Sequence, residues 1–180
     1  IDEAVAVEAN AAAVHEAVSG IPTGPSRCKF DVMAAREAIC HFKLAAMIAP
    51  AQASQLAVTA GPEARIAADV YQLYERELVR RDVYDFDDLV AKTVDLLQKD
   101  AGARGRWQSR FDRILVDEYQ DIEPSQALLV GILAAPQDSL FCVGDEDQCI
   151  YAWRRATVQR IIELDQVYPG LERHALVRNY

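Results

Sequence analysis

No lysine of this sequence follows a glycine. The four lysines are Lys29, Lys43, Lys92 and Lys99. No G-x-x-x-x-G-K-[ST] loop is therefore present in these 180 residues, and they contain no such loop to cradle the terminal phosphates of a nucleotide. Cysteine is scarce too: Cys28, Cys40, Cys142 and Cys149 have no C-x-x-C spacing, and His15, His41 and His174 stand apart from them. That argues against a zinc site. With no secretory leader visible, reduced thiols and a cytoplasmic location are expected. Only 8 glycines and 7 prolines exclude a linker or collagen-like chain. No apolar run approaches the length that spans a membrane. Basic residues are outnumbered, 19 against 28, for a net charge of −9. A simple basic-patch binder of nucleic acid is thereby disfavoured, though a local groove is not.

What is present fits an ordinary globular chain, 51% hydrophobic and 26% charged. The length suits one domain, or one and a fragment. Because the first residue is Ile1, a piece of a longer protein is expected. Residues 1–18 are Ala-rich with valines at helical spacing, and Pro22, Gly24 and Pro25 mark a loop. Asp31 is a candidate cap for a helix with Val32, Ala35, Ile39, Phe42 and Ala46 on one side, ended by Pro50. A short helix over about 51–59 is closed by Gly61-Pro62. Pro62 then opens a helix whose stripe is Ile66, Val70, Leu73, Tyr74 and Leu78. Asp85, with Asp88 three residues on, caps a further helix with Leu89, Val94 and Leu97 as its buried face. Residues 1–105 thus read as mainly helical.

The pattern changes after Gly105. Ile114-Leu115-Val116 and Ser139-Leu140-Phe141-Cys142-Val143 are short apolar runs, each followed by acids. Between them Pro124 opens a helix with Leu128, Leu129, Ile132 and Leu133. Two wholly apolar strands around a helix predict a parallel sheet covered on both faces, hence an α/β class for 106–180. Thr157 is a candidate cap for another helix, and Ala175-Leu176-Val177 a candidate third strand.

Ligands of open α/β sheets sit beyond the carboxyl ends of the strands. Asp117 and Glu118 lie at that end of the first run, Asp145 at that end of the second. An apolar strand ending in Asp-Glu has the form of a Walker B element, in which the first acid holds Mg²⁺ and the second serves the attacking water. Turns also favour acids, so the dipeptide alone leaves a purely structural role open. Tyr151 and Trp153, two apart, fit one packed side of a strand equally well. Asp87-Asp88 fit first-turn acids on a helix dipole.

Longer blocks resemble a known family. Leu115-Val116-Asp117-Glu118-Tyr119-Gln120-Asp121 resembles motif II of the UvrD/Rep-type superfamily 1 DNA helicases. The stretch Val143 to Ala156, containing Gln148, Tyr151, Trp153 and Arg154, is similar to their motif III. Tyr84-Asp85-Phe86-Asp87-Asp88-Leu89 resembles the stretch ahead of motif II, and Leu176-Val177-Arg178-Asn179-Tyr180 the start of motif IV. The resemblance covers about residues 70–180; residues 1–69 match loosely a helical subdomain inserted into the first domain. It implies a partial RecA-like P-loop NTPase sheet preceded by an all-helical inserted subdomain. It also implies ATP and Mg²⁺, with Asp117 on the metal, Glu118 activating water, and Gln148 near the γ-phosphate. Gln120 and Asp121 would link the nucleotide site to motif III. Tyr151, Trp153 and Arg154 would lie along single-stranded DNA, where an indole stacks on any base.

Two positions depart from the pattern. Cys149 stands where the family has Ser, and Arg155 where it has Gly. A thiol donates more weakly than a hydroxyl, and arginine at a positive φ costs roughly 1–2 kcal/mol. The resemblance implies a 3′ to 5′ helicase acting at duplex junctions in repair or replication. The 180 residues alone are expected to be inactive. A helicase subunit of a RecB-like recombination nuclease and an inactive helicase-derived scaffold are the alternatives.

Overall fold

The computed structural model describes residues 32–60, 62–148 and 164–176. The first helix, α1 (Val32–Cys40), runs into a π-helical turn, His41–Ala45. Chain direction changes at Met47, whose φ of 51° lies in the left-handed region. Pro50 does not end α1; it is the first residue of α2 (Pro50–Ala60). A first-turn proline lacks only an N–H that would have no intrahelical acceptor anyway. α3 (Pro62–Arg81), α4 (Phe86–Lys99) and α5 (Ala101–Gln108) follow.

The helical core mixes alanines with larger aliphatic and aromatic residues. Ala35 and Ile39 of α1 meet Ala53 and Ala57 of α2 and Ala68, Val70, Tyr71, Tyr74 and Leu78 of α3. Alanines at these contacts let the helix axes approach closely. Phe42 stacks on Tyr71 at 5.4 Å between ring centres. The predicted stripe of α3 is thus its buried face, with Ile66 and Leu73 at the margin.

A lysine lies inside this assembly. Lys43, on the π-helical turn, is 2% exposed. Its Nζ lies 2.6 Å from Glu75, 2.7 Å from Asp85 and 3.0 Å from Asp88. It also sits 5.0 Å from the centre of the Tyr74 ring. Tyr74 donates its hydroxyl to Asp85 Oδ2 at 2.7 Å. Asp85 caps α4 by accepting from Asp88 N at 2.7 Å. The predicted capping box is therefore present, and its side chains serve Lys43 as well.

That inward pull sets the rotation of α4. Asp88, Val94 and Leu97 are buried, whereas Leu89, expected inside, is 54% exposed. One residue along a helix is about 100° round it, so seating Asp88 on Lys43 turns Leu89 outward. Asp87, beside Cys40, is held above the usual carboxylate range by burial and by the charge of Asp85.

After α5 come β1 (Ile114–Val116), a 3₁₀ turn (Tyr119–Asp121), α6 (Pro124–Ala134), β2 (Leu140–Cys142), a 3₁₀ turn (Glu146–Gln148) and α7 (Leu164–Val167). The strands are parallel, with Ile114, Leu115 and Val116 opposite Leu140, Phe141 and Cys142. The right order of elements was legible in the sequence, but coverage of both sheet faces was not. Leu115 and Phe141 are paired and mostly exposed. Ile114, Val116, Leu140 and Cys142 are half-buried. Among the described residues nothing covers the outer face. The third strand proposed at 175–177 is also not seen where described: residues 171–176 have no regular structure and Leu176 is exposed. Val177 and the cap at Thr157 lie outside the described residues. Among the described residues no helix is long and apolar enough to cross a membrane.

Two predictions follow from the buried cluster. Tyr74→Phe removes a hydrogen bond to a buried carboxylate and is expected to lower unfolding free energy by about 1.5–3 kcal/mol, measured by urea denaturation; no change would contradict the contact. Burial opposes the charge on Lys43, but Asp85, Glu75 and Asp88 outweigh it and raise its pKa. A lysine raised in the folded state stabilises fully below its unfolded value, about 10.4, and that contribution is lost as pH climbs through the folded value. Above pH about 10 the melting temperature is expected to fall more steeply in the wild type than in Lys43→Met; parallel curves would contradict this.

Candidate active site at the carboxyl ends of the strands

Parallel pairing brings the two acidic strand ends to the same rim. Val143 N donates to Val116 O at 2.8 Å and Tyr119 N to Val143 O at 2.9 Å, so the ladder continues past both strands into the turns. Asp117 and Glu118 leave β1 there. Glu118 has φ 51° and ψ 45°, a left-handed conformation uncommon for a residue with a side chain. This lets the chain fold at once into the 3₁₀ turn. Glu118 N donates to Asp117 Oδ1 at 2.9 Å.

Gln120 joins the two halves of the rim. Only 1% exposed, it donates from Nε2 to Glu118 Oε2 at 2.5 Å and accepts at Oε1 from Asp145 N at 3.0 Å. Asp145 then accepts from Asp147 N at 3.0 Å and from Gln148 Nε2 at 2.7 Å. A continuous hydrogen-bonded line thus runs Glu118–Gln120–Asp145–Gln148. An amide suits the central position because it donates at one end and accepts at the other. A carboxylate there would face Glu118 with like charge.

Asp117, Glu118, Asp145 and Gln148 are exposed. They are open to a ligand, while the group that aligns them is buried. Asp121, the other expected link, donates its backbone N–H to Glu118 O at 2.9 Å. Its buried Oδ1 has no hydrogen-bond partner among the described residues. Tyr151, Trp153 and Arg154, with Cys149 and Arg155, lie outside the described residues. Asp145 as the hub for Gln148 was not singled out in the sequence. Its signal was only its position after the second apolar run.

Among the described residues no cluster of three or more His, Cys, Asp or Glu side chains could hold a metal ion by itself. The exposed oxygens of Asp117 and Asp145 suit a hard cation that takes one or two carboxylates and completes its shell with water and phosphate, as Mg²⁺ does. Nucleophilic thiol chemistry does not fit the two described cysteines. Burial, reinforced by Asp87 and Glu123, pushes Cys40 up to about 12, and burial pushes Cys142 up to about 11. Both remain protonated near neutrality.

Comparison with known proteins shows the family. The chain is 42% identical over 131 residues to the ATP-dependent DNA helicase Rep of Escherichia coli (strain K12), covering 73% of this chain and 19% of that protein. It is 41% identical over 113 residues to the ATP-dependent DNA helicase PcrA of Leuconostoc citreum, 63% of this chain and 15% of the relative. The PcrA of Staphylococcus epidermidis is 40% identical over 116 residues. The chain therefore spans less than a fifth of the length of these curated relatives, 15% to 19%. The profile of the UvrD/REP helicase N-terminal domain family matches residues 11–169, most of the sequence. The chain belongs to the UvrD/REP helicase N-terminal domain family.

Proposed function

We propose that this chain supplies the acidic rim of the ATPase unit of an ATP-dependent DNA helicase that moves 3′ to 5′ along single strands and opens duplex junctions in repair or replication. Residues 106–180 are its part of a RecA-like domain, and residues 1–105 its helical insert with connecting helices. One observation carries the reading. The line Glu118–Gln120–Asp145–Gln148 sits at the carboxyl ends of two parallel strands, where α/β sheets bind ligands. The relatives' names, ATP-dependent DNA helicases, agree with it.

Magnesium, when bound with ATP, neutralises phosphate charge. Asp117 is the residue that would hold it. Glu118 acts as general base on the water that attacks the γ-phosphate. Its Oε2 is engaged by Gln120, which leaves Oε1 to take the proton. The same hydrogen bond restricts the carboxylate's rotation, so the base is oriented before substrate arrives. Gln148 stands at the other end of the line and contacts the γ-phosphate. Loss of that contact on hydrolysis would alter Asp145 and, through its backbone N–H and Gln120, the Glu118 end. Tyr151, Trp153 and Arg154 follow Gln148 closely in sequence and would carry the change to the DNA strand, Trp153 by stacking on bases. The 180 residues hold no phosphate loop and are inactive by themselves.

In the full-length protein, Glu118→Gln is expected to lower single-turnover ATP hydrolysis by about 10²–10⁴-fold while ATP affinity stays within about threefold, roughly 0.7 kcal/mol. Parallel loss of binding and hydrolysis would contradict a general-base role. Gln120→Leu keeps the volume but cuts the line between the strand ends. It is expected to abolish stimulation of hydrolysis by single-stranded DNA while DNA affinity is retained. Unchanged stimulation in a steady-state ATPase titration would show that coupling does not pass through Gln120.

A further inference from the structure

The Lys43 cluster shares no residue with the acidic rim, and nothing in the proposed chemistry uses it. Its position is informative. Lys43 belongs to the turn after α1, Glu75 to α3, and Asp85 and Asp88 to the start of α4. Cys40, at the end of α1, makes a second contact by hydrogen bonding to Asp87 on the same first turn of α4. Three acids of the segment Asp85-Phe86-Asp87-Asp88 are thus all turned towards the α1 region. α4 in turn packs against α6, the helix that leaves the motif rim. The first turn of α4 thus forms a polar seam between the α1–α3 unit and a helix that packs on α6.

We propose that Lys43 is a positioning residue that clasps the α1–α3 unit to α4, so that the helical insert and the ATPase unit move as one body. The coupling part of this rests on the helicase reading above. One buried ammonium satisfies carboxylates from two helices, and the geometry is selective. Withdrawal of α4 by a few ångströms would strand Asp85 without its cation and leave Asp88 only the half-exposed Lys92 of its own helix, a cost that grows steeply in a site where water is excluded. The clasp therefore behaves as closed or broken, not as a spring. Lys92 reinforces it from α4 itself, 3.1 Å from Asp88 and 3.6 Å from Glu75.

The test uses the full-length protein with its native cysteines kept, spin labels being attached to unnatural amino acids placed at Gln55 of α2 and Gln98 of α4, both exposed. The distance distribution is expected to be single and narrow in the wild type and in Lys43→Arg, and broad or split in Lys43→Met. A narrow distribution in Lys43→Met, at the wild-type distance, would overturn the clasp. If Lys43→Met does not fold, Asp88→Asn removes one charge from the α4 side of the seam without changing shape and is read the same way. In the second arm, ATP hydrolysed with single-stranded DNA and base pairs opened per ATP are compared. Lys43→Met is expected to keep hydrolysis within about twofold and to lose at least about fivefold in base pairs opened per ATP, roughly 1 kcal/mol of coupling. Loss of both in proportion would make Lys43 merely structural. A wild-type protein that neither hydrolyses ATP nor opens duplex would overturn the helicase reading, while the distance arm would still decide the clasp.

Discussion

The buried amide of Gln120 is the constraint on which the site depends. Two strands of three residues each are short, and parallel pairing alone would fix only their register. The turns that follow need something to hold them together. Gln120 does this from inside, bonding to a side chain of the first turn and the backbone of the second. It leaves Asp117, Glu118, Asp145 and Gln148 at the surface. The division is sensible physically: exposed groups meet a changing ligand, and a buried one keeps their spacing.

The helical part uses a harsher version of the same device. Charges taken out of water are costly, and a buried ion cluster contributes little net stability compared with a well-packed apolar one. Its use is in specifying arrangement. Lys43 has favourable partners only when the π-helical turn, α3 and the first turn of α4 are all in place. Four alanines, Ala35, Ala53, Ala57 and Ala68, sit among the larger residues of the surrounding core, and the lysine cluster adds a directional contact to that packing. The two polar networks share no residue, but they meet through the packing of α4 on α6.

Much of this was legible in the sequence, for particular reasons. Helical period and proline position marked α2, α3 and α6, and Asp85 with Asp88 marked the start of α4. Apolar runs ending in acids marked both strands and the rim. Other features left no local trace. Pro50 reads as a stop or a start with equal justice, and Met47 does the turning. Leu89 belongs to the apolar period of α4, yet the pull of Lys43 on Asp88 turns it outward. Lys43 itself looked like any surface lysine, because its partners lie 32 to 45 residues away. Family resemblance implied that Gln120 and Asp121 link the nucleotide site to motif III, but not the bonds of Gln120 to Glu118 and the Asp145 backbone; from the residues alone, a glutamine two positions after an acid says nothing.

The most direct measurement of the central claim is a structure of the full-length protein bound to Mg²⁺ and a non-hydrolysable ATP analogue. The account predicts the terminal phosphate between Glu118 and Gln148, the metal beside Asp117, and Gln120 still bonded to Glu118 and to the Asp145 backbone. A nucleotide bound away from this rim, or one that seats there only after Gln120 has left both partners, would contradict it.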